Sequence, residues 1–93
     1  MIEPTKRSIW LTEWVFEKFW SATKEKAADR QRFKIDGVVC KGLNREHILS
    51  NKRNLNLAKN KFREKYGSIE GRNTVVKIVD VRLVQYVGES LID

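Results

Sequence analysis

A chain of 93 residues can hold one domain at most and lies near the lower limit for a self-sufficient core. Apolar residues at 41% and charged residues at 33% exclude a disordered chain, and no apolar run approaches the roughly 20 residues that span a bilayer. The formal net charge of +7 predicts attraction to polyanions, whether nucleic acid, an acidic protein or an anionic membrane surface.

Residues 1–8 include the only proline, Pro4, and are expected to form an extended or frayed lead-in to a single compact domain over 9–93. That lead-in lacks the apolar core of a secretory signal. The single cysteine, Cys40, leaves no intrachain disulfide and no cysteine-based metal cluster. Together these predict an intracellular, cytoplasmic protein.

From Ile9 to Trp20 the chain is dense in aromatics. Leu11, Val15 and Phe19 recur at four-residue spacing, as do Trp10 and Trp14, and this predicts a helix with a broad apolar arc. The competing pattern is a strand with Trp10, Trp14, Phe16 and Trp20 on one side. The length of the segment and its few β-branched residues favour the helix. Residues 21–30 alternate in charge and are good helix formers, so they extend that helix or form a solvated turn.

Arg32 to Cys40 reads as a strand, with Phe33, Ile35 and Val39 on one face and Gly37 marking a bulge or a tight approach. Helical character resumes after Asn44, a capping residue before Arg45, Glu46 and His47. Ile48, Leu55, Ala58, Phe62 and Tyr66 fall on one side of this segment. Ser50, Asn51 and Asn54 are weak helix formers, so 44–66 is one long helix or two short ones. Gly67 is placed to end it. Thr74 to Val87 is a long strand rich in β-branched residues, with Val75, Val79, Val81, Leu83 and Val87 on one side. Val76, Ile78, Val84 and Tyr86 share the other side with Asp80 and Arg82.

The predicted fold class is α+β, in the order helix, strand, helix, strand, with a two- or three-stranded sheet. An aromatic-rich helix and a basic helix cover that sheet. The segment 44–66 is long enough to cross over and bring 32–40 and 74–87 together as parallel neighbours. Open sheet edges make a homodimer a reasonable expectation.

No arrangement of residues announces a reaction. Cys40 and His47 lie seven positions apart, but a nucleophile needs a base within about 3 Å and a means of holding the developing anion. A small buried thiol and a polar first-turn histidine account for both residues. The five glycines form neither a phosphate loop nor a dinucleotide fingerprint, and the carboxylates are scattered. No enzyme, metal or cofactor is predicted.

The basic stretch after Asn51 is the strongest functional feature. Lys52, Arg53, Lys59 and Arg63, with Asn56 and Asn60 between them and Arg72 in the following loop, form the predicted nucleic-acid-binding set. Lysine and arginine neutralise phosphates with little sequence preference, while asparagine and arginine can also reach base edges. Lys41 is placed to extend the same patch. The expected partner is duplex DNA or structured RNA, and no membrane surface is expected. The alternative is an acidic protein bound through exposed members of the set Trp10, Trp14 and Trp20, since tryptophan is a frequent interface anchor.

Overall fold

The computed structural model describes residues 3–20 (the backbone alone at Trp20), 30–69 and 74–91. Residues Ser8–Trp20 form a strand, β1, where the spacing predicts an aromatic-rich helix. A four-residue interval is one helical turn, but it is also two strand repeats, so Trp10–Trp14 and Leu11–Val15–Phe19 fit either period. Side-chain chemistry shows why the strand holds. Trp14 and Phe16 are fully buried on one face together with Ser8 and Thr12. The Trp14 indole N–H donates to Thr12 Oγ1 at 2.8 Å, and that hydroxyl donates to the Val38 carbonyl at 2.6 Å. Two residues apart along a strand share a face, so the buried indole finds an acceptor without leaving the core.

Two further strands, β2 (Gln31–Lys41) and β3 (Thr74–Glu89), flank β1 in the order β2-β1-β3. Both pair antiparallel to β1. The predicted parallel pairing of 32–40 with 74–87 is therefore not made. Those strands do run the same way, but β1 lies between them and takes the hydrogen bonds that direct neighbours would have exchanged.

Bulges reset the alternation on both outer strands. Opposite Glu13, β2 has one residue too many, and Gly37 there has φ 77°, a left-handed conformation suited to glycine. The bulge puts Ile35, Val38 and Cys40 on the same buried face despite their mixed parity. In β3 the register to β1 skips Val79, Val84 and Val87 in turn. Each skipped valine is exposed, at 36%, 46% and 58% respectively. The side facing the core becomes Val76, Ile78, Val81, Leu83 and Tyr86, which replaces the two uninterrupted faces predicted for 74–87.

The segment 44–66 is two helices, α1 (Arg45–Ser50) and α2 (Lys52–Tyr66), with Asn51 as the joint. Asn44 caps α1 as predicted, its side-chain oxygen accepting from the His47 N–H at 2.9 Å. Asn51 ends α1 through its own N–H to Ile48 O at 3.4 Å, and its side chain opens α2 by accepting from the Arg53 N–H at 2.9 Å. Gly67 closes α2 at φ 94°.

Ile48, Ala58 and Phe62 pack onto the Trp14–Phe16 face of the sheet. The Phe62 ring lies 4.6 Å from Phe16, 5.6 Å from Phe33 and 5.2 Å from Tyr66. On the opposite sheet face Ile9, Leu11, Val15 and Phe19 are only half-buried, and no described element covers them. No helix among the described residues is long and apolar enough to cross a membrane.

Candidate nucleic-acid interface

The candidate site is built where three segments converge at the start of α2. The Gly42 N–H donates to Ser8 O at 2.9 Å, and the Trp10 indole N–H donates to Gly42 O at 3.1 Å. These bonds tie the end of β2 to the beginning of β1. Asn54, 2% exposed, fixes the helix to the same place. Its side-chain N–H donates to Lys41 O at 2.9 Å, and its oxygen accepts from the Lys41 N–H at 3.4 Å. A buried amide that satisfies a strand end in this way sets the distance between Lys41 and the first turn of α2. The lead-in is shaped as well: Ser8 N–H donates to Thr5 O at 3.0 Å, Thr5 N–H donates to Ser8 Oγ at 2.8 Å, and Arg7 Nε donates to Ser90 O at 2.8 Å.

The result is a cleft of about 740 Å³ lined by five cationic residues, Lys6, Arg7, Lys41, Lys52 and Arg53. Thr5, Asn51 and Asn54 complete its lining, which contains no carboxylate. Among the described residues, no acidic group lies within ion-pair distance of Lys6, Lys52 or Arg53. The start of α2 is also unusual in its charge. A helix N-terminus carries a partial positive charge and favours acidic residues, yet the first turn here has none and begins with Lys52 and Arg53. Each misplaced cation costs roughly 0.3–1 kcal/mol at low salt, a cost that an anion in the cleft would offset.

The remaining predicted residues lie along α2. Asn56, Asn60 and Arg63 are exposed and Lys59 is half-buried, with Arg63 Nη1 donating to Asn60 Oδ1 at 2.9 Å. From Arg53 to Arg63 the helix rises ~15 Å. Arg72 lies outside the described residues. Not every cation of α2 joins this row. Lys61 turns toward β2, where its Nζ donates to Gly37 O at 3.3 Å, and Lys65 Nζ sits 5.3 Å from the centre of the Tyr66 ring. The charge is therefore concentrated at one end of the helix and continued along part of it.

Chain comparison leaves this geometry to stand alone. No family model, curated protein or solved structure matches the chain.

The tryptophan set fares differently. Trp14 is 0% exposed and cannot present itself to a partner, because the central strand directs it into the core. Trp10 is half-buried, edge-on to Tyr86 at 5.4 Å, with its N–H already donated to Gly42. The Trp20 side chain lies outside the described part. Cys40 is buried, and that burial pushes its thiol above the ordinary range. His47 Nδ1 accepts from the Leu43 N–H at 2.9 Å, so the turn already uses the atom that would serve as a base.

The open sheet face carries paired charges. Glu17 receives Arg30 and Arg32, each at 3.4 Å, and Glu13 receives Arg82 at 3.4 Å. At its border Arg45 Nε donates to Asp80 at 2.9 Å, which holds that carboxyl below its usual range.

Sequence reasoning missed Lys6, Arg7 and Asn54 as members of the site. The dipeptide Lys6-Arg7 was a visible signal within the lead-in. Asn54 gave only a weak one, as a poor helix former beside the joint.

Proposed function

We propose that this protein is a non-enzymatic binder of nucleic acid, holding phosphates in the Lys6–Arg7–Lys41–Lys52–Arg53 cleft and along the exposed row of α2. The observation that carries this reading is the convergence of five cations from three segments around one carboxylate-free cleft. Lys6, Lys52 and Arg53, which have no acidic group within ion-pair distance among the described residues, repel one another in so small a space, and a phosphate-bearing partner offsets that repulsion. Arg53, Asn56, Asn60 and Arg63 extend the contact, with amide and guanidinium groups able to reach sugar and base edges.

Binding measured against duplex DNA, single-stranded DNA and RNA over a range of salt tests the reading. Affinity should fall steeply, and each phosphate contact removed should flatten the logarithmic slope by about 0.9 on duplex or 0.7 on single strands. Replacing Lys52 and Arg53 with glutamine should lower that slope by ~1.4–1.8. Flat, weak binding to all three at low salt refutes the reading.

One observation favours a second reading, an acidic protein partner. Half-buried Ile9, Leu11, Val15 and Phe19 line the open sheet face beside Lys34 and Lys77. That partner would tolerate the Lys52 and Arg53 replacements and fail when Phe19 is truncated.

A further inference from the structure

We infer that the cleft at the start of α2 is a site for linked phosphate groups, such as the triphosphate that ends a strand or a free polyphosphate, rather than for a single internal phosphodiester. The first argument is size. The cleft, about 740 Å³ between the lead-in, the end of β2 and the start of α2, has room for several linked phosphate groups at once. The second is chemistry. The lining offers amines, guanidinium groups, amides and a hydroxyl, but no aromatic or aliphatic side chain on which a base could stack. What enters is recognised by its oxygens and its charge.

The third argument is charge density. An internal backbone offers one negative charge per nucleotide, spaced along the strand. A terminal phosphate bears up to roughly two, so three linked phosphates bring about four charges into one small volume. Lys6, Lys52 and Arg53, with no acidic group within ion-pair distance among the described residues, bring three positive charges to that volume, and Arg7 and Lys41 line it beside them. Clustered phosphate matches Lys6, Lys52 and Arg53 together, whereas one isolated diester carries a single charge to set against the three. Lys52 and Arg53 also sit at the helix end where cations are least favoured, so the anion that fills the cleft relieves a conflict built into α2 itself. A strand end as the source rests on the nucleic-acid reading above, whereas a free polyphosphate does not.

The experiment compares one oligoribonucleotide bearing a 5′-triphosphate, a 5′-monophosphate or a 5′-hydroxyl. A longer 5′-hydroxyl strand matched in total charge serves as a control. Tripolyphosphate and sulfate at matched ionic strength are tested in parallel by their effect on the thermal midpoint. The triphosphate end should bind at least tenfold more tightly than the charge-matched hydroxyl strand. Tripolyphosphate should raise the midpoint well beyond sulfate. Lys52→Gln with Arg53→Gln, both exposed positions, should abolish both effects, whereas Lys59→Gln with Arg63→Gln should weaken all strands and keep the preference. Equal binding of all ends with no tripolyphosphate effect overturns the inference and leaves the nucleic-acid reading standing. Tripolyphosphate binding without any oligonucleotide binding supports the site and refutes that reading. No binding of either refutes both.

Discussion

Replacing Asn54 with alanine tests how the cleft is built. The buried amide donates to Lys41 O at 2.9 Å, and its contacts to the Lys41 N–H at 3.4 Å and Ile48 O at 3.5 Å are at the limit of useful geometry. The variant loses one good hydrogen bond, worth about 1 kcal/mol net. Leaving the half-buried Lys41 carbonyl short of that donor brings the total to about 1–3 kcal/mol. Alanine is the better helix former, so intrinsic propensity acts in the opposite direction. The sign of the result is therefore diagnostic. A net loss of about 1–2 kcal/mol is expected, and at a urea slope of roughly 1–1.5 kcal/mol per molar the midpoint falls by about 1 M. Asn54→Asp keeps an acceptor but loses the donor and adds a carboxylate beside the cations. It should lower polyanion affinity further than Asn54→Ala. A midpoint shift below ~0.5 M with an unchanged slope would refute the assignment of Asn54 as the anchor between α2 and β2.

Further outcomes follow from the core and the turns. Phe62→Ala removes a ring 2% exposed that touches three other aromatics and should cost ~3–5 kcal/mol, enough to leave a domain of this size largely unfolded by circular dichroism. At Gly42 an added Cβ would lie 2.6 Å from Ile48 Cγ1, so Gly42→Ala should cost about 1–3 kcal/mol in chemical denaturation. The hydrogen bond from Arg45 holds the Asp80 carboxyl below its ordinary range, so near pH 4 the folded chain binds fewer protons than the unfolded one. Stability from this pair is present above that region and is lost as the pH falls through the folded value. Asp80→Asn should narrow the difference between thermal midpoints at pH 7 and pH 3.

Much of the local structure was legible where one residue type had one physical use. Gly37 marked the β2 bulge, Asn44 the α1 cap and Gly67 the end of α2, and Ala58 and Phe62 marked the face α2 buries. The β-branched run gave β3, found at Thr74–Glu89. The first strand was not legible. Its spacings satisfy two periods, and at 13 residues it is well beyond the usual five or six of a strand, so length favoured the wrong element. The faces of β3 were lost because parity fails at each bulge. At the site, Lys52 and Arg53 stood out as neighbours in a basic run, but Lys6 and Arg7 reach them only through the Gly42–Ser8 closure and the Asn54–Lys41 bonds. Nothing local encodes such long-range closure.

The skipped valines of β3 have a consequence for the length of the chain. Val79, Val84 and Val87 occupy positions with no partner on β1, so removing any one would regularise the ladder and leave the residues on either side facing as before. Removing a paired neighbour such as Val81 would instead slide half the strand out of phase. The outer strand thus contains three places where a single-residue deletion should be absorbed, separated by stretches where the same deletion turns the core inside out.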